Sequence, residues 1–321
     1  MRYGAAVSGA HAGESSFRRL AMRGDFGPIP ATHDPSGASS MQITHRFGRK
    51  NNKLAKRVFR FHRLLANWTR PHLTVEGDRT SYAFTPNTRT ELHRYLNFFV
   101  KEEGTLAWLR DSLREGDVFV DIGANVGLYS IFAAKLGRNV KVFAFEPHKP
   151  NFMALMQNVV ENGLQGSVAP MALGLSDKSE VIRLNYYSLE GGSSRSQLGH
   201  KSAAGAEFAP KFEEIVPAMS LDDLIARGIV PPPSHIKLDV DGNEISILRG
   251  MTTLLQGPHK PRSIQVEMNW GEQAPILELL DRSGYALTQR HYTRKGKRKI
   301  SRGAKAEEIP HNAVFTLRNA G

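Results

Sequence analysis

Val118-Phe-Val-Asp121-Ile-Gly123-Ala-Asn125-Val-Gly127 is the stretch on which the reading of this chain turns. It opens as a short apolar strand, passes through two glycines and runs into 128–136, which has helical length and apolar content. Glycines at such a corner let the backbone turn tightly and come close to a ligand. A dinucleotide fold places G-x-G-x-x-G here, so that a pyrophosphate rests on the helix N-terminus. This chain instead has G-x-N-x-G, with Asp121 two places before the first glycine. A carboxylate suits a ligand that carries an ammonium group and no phosphate, and S-adenosylmethionine is such a ligand.

Working outward, strand and helix signals alternate from Asp117 onward, the pattern of an α/β sheet with parallel strands. Strands are expected at 118–122, 140–145, 167–173, 236–240 and Ser263–Met268, with helices at 128–136, 151–160, 244–255 and 274–282. The segments 285–292 and 313–317 close the chain as an antiparallel pair. Between the third and fourth core strands, 181–187 and 214–219 read as extra strands around a Gly/Ser-rich stretch, 191–210, expected to be a structureless binding loop or lid. Ser220 with Asp223 resembles a capping box.

Upstream, 92–108 reads as one helical stretch leading into the core. Leu54, Val58, Phe61 and Leu65 recur at helical spacing among Lys56, Arg57, Arg60 and Arg63, giving a basic amphipathic helix. Residues 1–44 are rich in Gly, Ala, Ser and Pro and are expected to be a disordered extension, Met41 being an alternative start of translation. The expected organisation is therefore this extension, a basic helical segment over 45–100, and a catalytic domain over 101–321.

The 321 residues include no Cys, which excludes a disulfide framework, a thiolate metal site and a cysteine nucleophile. The formal net charge of +12 is concentrated in 45–62 and 290–305, with a nearly balanced middle. Such arms attract an anionic substrate or partner, although a solvated hairpin is the plainer expectation for 290–305. No apolar run reaches the length of a membrane span, and the first residues carry no apolar signal-peptide core, so cytoplasmic residence is the default expectation.

Two acidic features add chemistry. Glu146 ends the second core strand about 20 residues after the glycine loop, where a carboxylate can accept from both hydroxyls of a ribose. Lys237-Leu-Asp239-Val-Asp241-Gly-Asn-Glu244 ends the fourth, and strand alternation puts Lys237, Asp239 and Asp241 on one side. Glu267 ends the next strand and can face the same cleft, while Asp241 can also serve simply to cap the following helix.

Taken together, these residues resemble the FkbM family of methyltransferases. The resemblance rests on the glycine loop, Ala144-Phe-Glu146-Pro147, Ser220-Leu-Asp-Asp-Leu224, Ile236-Lys-Leu-Asp-Val-Asp-Gly-Asn-Glu244, Leu248-Arg-Gly250 and Gly284-Tyr285, spanning about Glu102 to Gly284. It implies a Rossmann-like class I methyltransferase fold: a seven-stranded, mostly parallel sheet whose last strand is antiparallel, here with an N-terminal helical extension. It also implies S-adenosylmethionine as methyl donor and oxygen acceptors on sugars, glycans or small metabolites. Carried over by position, Asp121, Gly123, Asn125, Gly127 and Glu146 are cofactor contacts, with Ala172 and Asp177 near the adenine.

An alcohol is a poor nucleophile until its proton leaves, so a general base is expected. Asp239 is the first candidate, Glu244 the second, and Lys237 holds the substrate or the carboxylate. Asp241, Glu267 and His291 are candidate substrate contacts. Hard oxygen ligands make a divalent metal conceivable, but no spacing demands one. Three other readings stand beside this one. The basic arms fit an RNA or DNA methyltransferase, although the Pro-aromatic pair of amino-targeting enzymes is missing after Asp239. A non-catalytic binding module and a nicotinamide oxidoreductase both fit the glycine loop less well.

Overall fold

The computed structural model describes residues 3–9, 41–47, 57, 60–61, 71–77, 80–200, 202–203, 206–269, 271 and 273–318. The chain divides into two compact units, Met1–Arg70 and Pro71–Gly321. In the first, β1 (Tyr3–Gly9) pairs antiparallel with β2 (Met41–Phe47), from Tyr3 opposite Phe47 to Gly9 opposite Met41. These strands stand where a disordered extension was expected; 10–40 lies outside the described residues. Of the amphipathic helix expected at 53–65, Arg57, Arg60 and Phe61 are described, all helical and exposed. The larger unit starts at Pro71, well before the expected domain boundary at 101, because the hairpin β3 (Leu73–Gly77) and β4 (Thr80–Phe84) supplies core residues to it.

The core of the larger unit is a seven-stranded sheet. Its strands, in chain order, are β5 (Val118–Ile122), β6 (Lys141–Phe145), β7 (Val168–Met171), β14 (His235–Leu238), β15 (Ser263–Met268), β16 (Tyr285–His291) and β17 (His311–Leu317). The spatial order is β16-β17-β15-β14-β5-β6-β7. The pairs β14–β15, β14–β5, β5–β6 and β6–β7 are parallel, and β17 runs antiparallel to both of its neighbours. This is the class I methyltransferase topology expected from the sequence. Strand order reverses between β5 and β14, where an open α/β sheet forms its ligand crevice beyond the carboxyl ends.

Alternation along β5 feeds two cores. Phe119 joins Leu106, Trp108, Leu109, Ile131, Phe132 and Leu155, together with Tyr82 and Phe84 of the hairpin. Val120 and Ile122 point the other way, into Ile236, Leu238, Leu224, Leu248, Val266 and Leu280. Each fully buried Leu, Ile or Phe contributes about 1.5–3 kcal/mol. These two opposed cores hold the sheet between its helices and so fix where its strand ends lie.

Several elements differ from the sequence reading. The stretch expected as one helix over 92–108 is three: α1 (Arg89–Leu96), α2 (Phe98–Lys101) and α3 (Glu103–Ser112). The backbone leaves helical geometry at Asn97 and Glu102, and the corner turns Arg94, Lys101 and Glu102 toward the cavity. Helices α4 (Leu128–Ala134) and α5 (Lys149–Glu161) follow their strands as expected. A second sheet, ordered β10-β9-β13-β8, is built from β8 (Gly174–Leu175), β9 (Glu180–Tyr186), β10 (Gln197–Leu198) and β13 (Phe212–Met219). The expected structureless stretch 191–210 therefore contains strand pairing, including a small β11 (Ser202–Ala203) and β12 (Ala206–Glu207) pair.

Helix α6 (Leu221–Ala226) begins at Ser220, whose Oγ accepts the Asp223 amide at 3.1 Å, so the expected cap forms. The helix expected over 244–255 splits into α7 (Glu244–Arg249) and α8 (Thr252–Gln256). At the break, Gly250 lies so close to the Ser176 backbone that no side chain fits. Helix α9 (Gln273–Arg282) matches expectation, whereas 290–305 holds a helix, α10 (Arg294–Ile300), in place of a hairpin. Among the described residues no helix is long and apolar enough to cross a membrane.

Candidate active site

A cavity opens beyond the carboxyl ends of β5, β6, β14 and β15. Gly123 and Asn125 come from the glycine loop, Glu146 from the end of β6, and Lys237, Asp239 and Asp241 from β14 and its following loop. Glu267 comes from β15. The corner between α1 and α3 adds Arg94, Lys101 and Glu102, and the segment 193–198 closes the opposite wall.

The glycine loop is held by its own carboxylate. Glu146 is buried and accepts the Asn125 amide at 2.7 Å and the His148 amide at 2.9 Å. Burial raises its carboxyl to about 7, against the opposing effect of those two amides. A carboxylate has about four acceptor sites, so capacity remains for a diol presented from the cavity. His148 caps α5 and directs its second ring nitrogen to the Ser188 carbonyl at 2.7 Å.

Behind the wall lies a buried ionic group. Lys237, 1% exposed, places Nζ 2.9 Å from Asp239 Oδ2, 3.7 Å from Asp121 Oδ1 and 5.0 Å from the Tyr129 ring centre. Burial alone would lower the ammonium, yet Asp239, Asp121 and Glu102 hold it above its ordinary value. Burial likewise pushes Asp239 up, and Lys237 overrides it, so Asp239 stays below the usual carboxylate range while part of it faces the cavity. Glu267 goes the other way: burial and then the charges of Asp239, Asp241, Glu244 and Glu102 hold its carboxyl well above normal. Within the cavity the ionised form of Asp239 is thus favoured and the protonated form of Glu267 is favoured, which biases the first toward accepting and the second toward donating a hydrogen bond.

The segment across the mouth is strapped down. Asn151 donates to the Ser193 carbonyl at 2.9 Å and accepts the Gly192 amide at 2.8 Å, and Asn125 Nδ2 reaches the same carbonyl at 2.7 Å. Thr88 donates to the Gly191 carbonyl at 2.8 Å, and Arg94 to the Gly192 carbonyl. On the far side the Arg195 amide donates to Asp241 Oδ2 at 2.9 Å. Arg195 and Asp241 both have left-handed backbones, φ 72° and 63°, as does Asn125 at 52°. Such conformations cost about 1–3 kcal/mol each in a non-glycine residue and concentrate at functional sites. Three lie on this one cavity.

The structure redistributes some expected roles. Asp121 is fully buried, is not among the residues lining the cavity, accepts from the Ser130 hydroxyl at 2.6 Å and lies 3.7 Å from Lys237 Nζ. Burial raises its carboxyl despite Lys237. Glu244 is also outside the lining, 1% exposed, accepting the Val240 amide at 3.1 Å, so it braces its own loop and is not placed to act as a base. Gly127 packs on Leu155 behind the loop. Ala172 and Asp177 flank Leu173, Gly174 and Leu175, which do line the cavity. His291 lies against Gly104 and bonds Gln289 at 2.8 Å, away from the lining. No cluster of metal-binding side chains occurs among the described residues.

Arg94, Lys101, Glu102, Tyr129, His148, Asn151 and Arg195 line the cavity without having been singled out in the sequence. Their signals are long-range ones, such as the left-handed backbone of Arg195 or the helix corner at Glu102.

Residues 121–287, just over half of the chain, match the family described as the methyltransferase FkbM domain. The chain belongs to the FkbM methyltransferase family. Its larger unit has the class I α/β fold. Among characterised relatives, it is 32% identical over 155 residues to hexuronic acid methyltransferase AglP of Haloferax volcanii, covering 48% of this chain and 58% of that one. It is 29% identical over 162 residues to 31-O-demethyl-FK506 methyltransferase FkbM of Streptomyces tacrolimicus, covering 43% and 61%. Methyltransferase sdnD of Sordaria araneosa is 25% identical over 240 residues, covering 67% and 89%. The chain thus spans about three fifths of the length of the first two.

Proposed function

We infer that this methyltransferase transfers its methyl group to a hydroxyl oxygen on a sugar, glycan or other small metabolite. The observation that carries the reading is Asp239, a carboxylate held ionised at the cavity by the buried Lys237 ammonium 2.9 Å away. A hydroxyl entering the cavity finds there an acceptor for its proton. The names of the first two relatives, a hexuronic acid methyltransferase and a 31-O-demethyl-FK506 methyltransferase, support an oxygen acceptor.

Gly123, Asn125 and Glu146 fit the donor. Glu146 is a buried carboxylate with acceptor capacity left for a ribose diol, and Leu173 and Leu175 offer apolar wall beside it. When bound, S-adenosylmethionine supplies a methyl group made electrophilic by its sulfonium. The protein's part is then orientation, worth about 7–11 kcal/mol when good, and relief of the hydroxyl proton. Asp239 aligns that hydroxyl and takes its proton as the new carbon–oxygen bond forms. Lys237 positions Asp239 and keeps it charged; Glu267, whose protonated form burial and the neighbouring acids favour, can donate to a second oxygen of the acceptor in that form; Asp241 fixes the closing segment through Arg195.

Asp239→Asn keeps the shape and removes the basic oxygen. Its turnover with a competent acceptor should drop about 10²–10⁴-fold, measured as formation of the demethylated donor, while calorimetric affinity for S-adenosylmethionine stays near wild type. Lost donor binding would move Asp239 into the cofactor site, and unchanged turnover would end its role as base.

A further inference from the structure

Over residues 290–305, from the end of β16 through α10, the chain carries Arg290, Arg294, Lys295, Lys297, Arg298, Lys299, Arg302 and Lys305 with no acid in that stretch. Each is exposed. Two are neutralised, Arg294 by Glu103 at 3.1 Å and Lys305 by Glu308 at 3.6 Å. For Arg290, Lys295, Lys297, Arg298, Lys299 and Arg302 no carboxylate lies within ion-pair distance among the described residues.

This cation set is rigidly presented. Thr293 caps α10, accepting the Gly296 amide at 3.2 Å, and Gly296 is buried against Ile309. Along α10, Arg294 with Arg298 and Lys295 with Lys299 stand one turn apart, spacings at which like charges repel. The helix dipole favours cations in the last turn, but that does not account for Lys295 or for Arg302 beyond the end. A fixed, self-repelling cationic surface is complementary to a polyanion.

Its place is equally specific. β17 is antiparallel to both β15 and β16, so β16 runs parallel to the core strands and its end at His291 lies at the sheet edge that bears the cavity. Arg294 bonds Glu103, the residue after Glu102 at the cavity wall, and Asn312 bonds Glu102 itself at 3.2 Å. The cations therefore begin next to the catalytic mouth.

We propose that the surface of α10 and its flanks binds an anionic saccharide chain, of which the methylated hydroxyl is one end or branch. The proposal rests on the hydroxyl-acceptor reading above. A carbohydrate is favoured over single-stranded nucleic acid, whose bases such surfaces hold by stacking on aromatic rings. The aromatic ring in this segment, Tyr292, is packed 4.8 Å from His311. The donor-accepting carboxylates of the cavity suit sugar hydroxyls.

The test uses the full chain loaded with demethylated donor, titrated with three probes of matched length: oligogalacturonate, neutral dextran and single-stranded RNA. Oligogalacturonate should bind at least tenfold more tightly than dextran. Combining Lys297→Ser, Arg298→Ser and Arg302→Ser should weaken it at least tenfold and lower the salt slope by about two to three, with donor affinity unchanged. Equal binding of dextran, no loss in the triple variant, no binding of any probe, or tenfold tighter RNA each overturns the proposal. Because the readout is binding, it stands or falls separately from Asp239→Asn turnover.

Discussion

At the end of β6, burial sets the Glu146 carboxyl near 7, and this has two consequences with opposite pH dependence. A folded value raised above the ordinary 4.5 means the folded state holds a proton the unfolded chain has released. That contribution to stability is complete below about 4.5 and fades as pH rises through 7. Donor binding needs the ionised form to accept two hydroxyls, so affinity should rise between pH 6 and 8, by up to about tenfold per unit below the carboxyl's own value. Calorimetry across that range checks it, and Glu146→Gln should bind weakly with a flat profile; a steep profile in the variant would place the titrating group elsewhere. Position along the sequence was enough to find Glu146, because a strand end in an α/β sheet has a fixed relation to the crevice. It was not enough for the surroundings of Asp121, since its place beside a buried lysine depends on Lys237, more than a hundred residues away.

Among the elements, the glycine loop separates backbone strain from crowding. Gly116 and Gly123 share a left-handed φ, 74° and 75°, but a Cβ on Gly116 meets nothing, whereas one on Gly123 is driven into the Asp239 carbonyl. Gly116→Ala should cost about 1–2 kcal/mol, the left-handed penalty alone. Gly123→Ala should cost more than about 2 kcal/mol beyond that and displace Asp239, so turnover falls with stability. Urea midpoints at constant slope measure the first effect; equal costs at both positions would remove crowding from the account. Core strands and their helices were legible as elements because apolar period and turn residues report on them locally. The breaks at Glu102 and Gly250 were not: one is a corner beside the hairpin core, the other a close approach to the Ser176 backbone just past β8, distant in sequence. Helix α10 escaped for the same reason, its buried face being two small contacts, Gly296 and Ile309, within a run of cations.

Across the whole molecule, the two cores are tied at the amino ends of the strands by a polar group far from the cavity. His235 Nδ1 lies 2.7 Å from Ser263 Oγ, which also takes the Trp108 indole at 2.9 Å, and Arg262 bonds both Asp117 and His235. Burial, then the Arg262 charge, lowers His235 to about 4 despite Asp117. A depressed histidine favours the folded state above 6.5, and that contribution is lost as pH falls from 6.5 through 4. Glu146 acts in the opposite direction over the same interval, so the His235 part is read as a difference. From pH 6.5 to 4 the denaturant midpoint of His235→Gln should fall less, or rise more, than that of wild type, and an identical acid profile in the variant would put the sensitivity elsewhere. The amino-acid sequence by itself determined the class of fold, the strand ends at Asp121, Glu146 and Asp239, and membership of the donor-binding framework, because periodicity, glycine turns and strand-end acids act within one element and its neighbour. Only the tertiary structure decided which of those carboxylates faces the cavity, which is held ionised by Lys237, that Arg94 and Arg195 line it, and that α10 is tied to α3 through Arg294 and Glu103. Charge, burial and backbone strain at a site are sums over residues that the chain brings together only when the sheet closes.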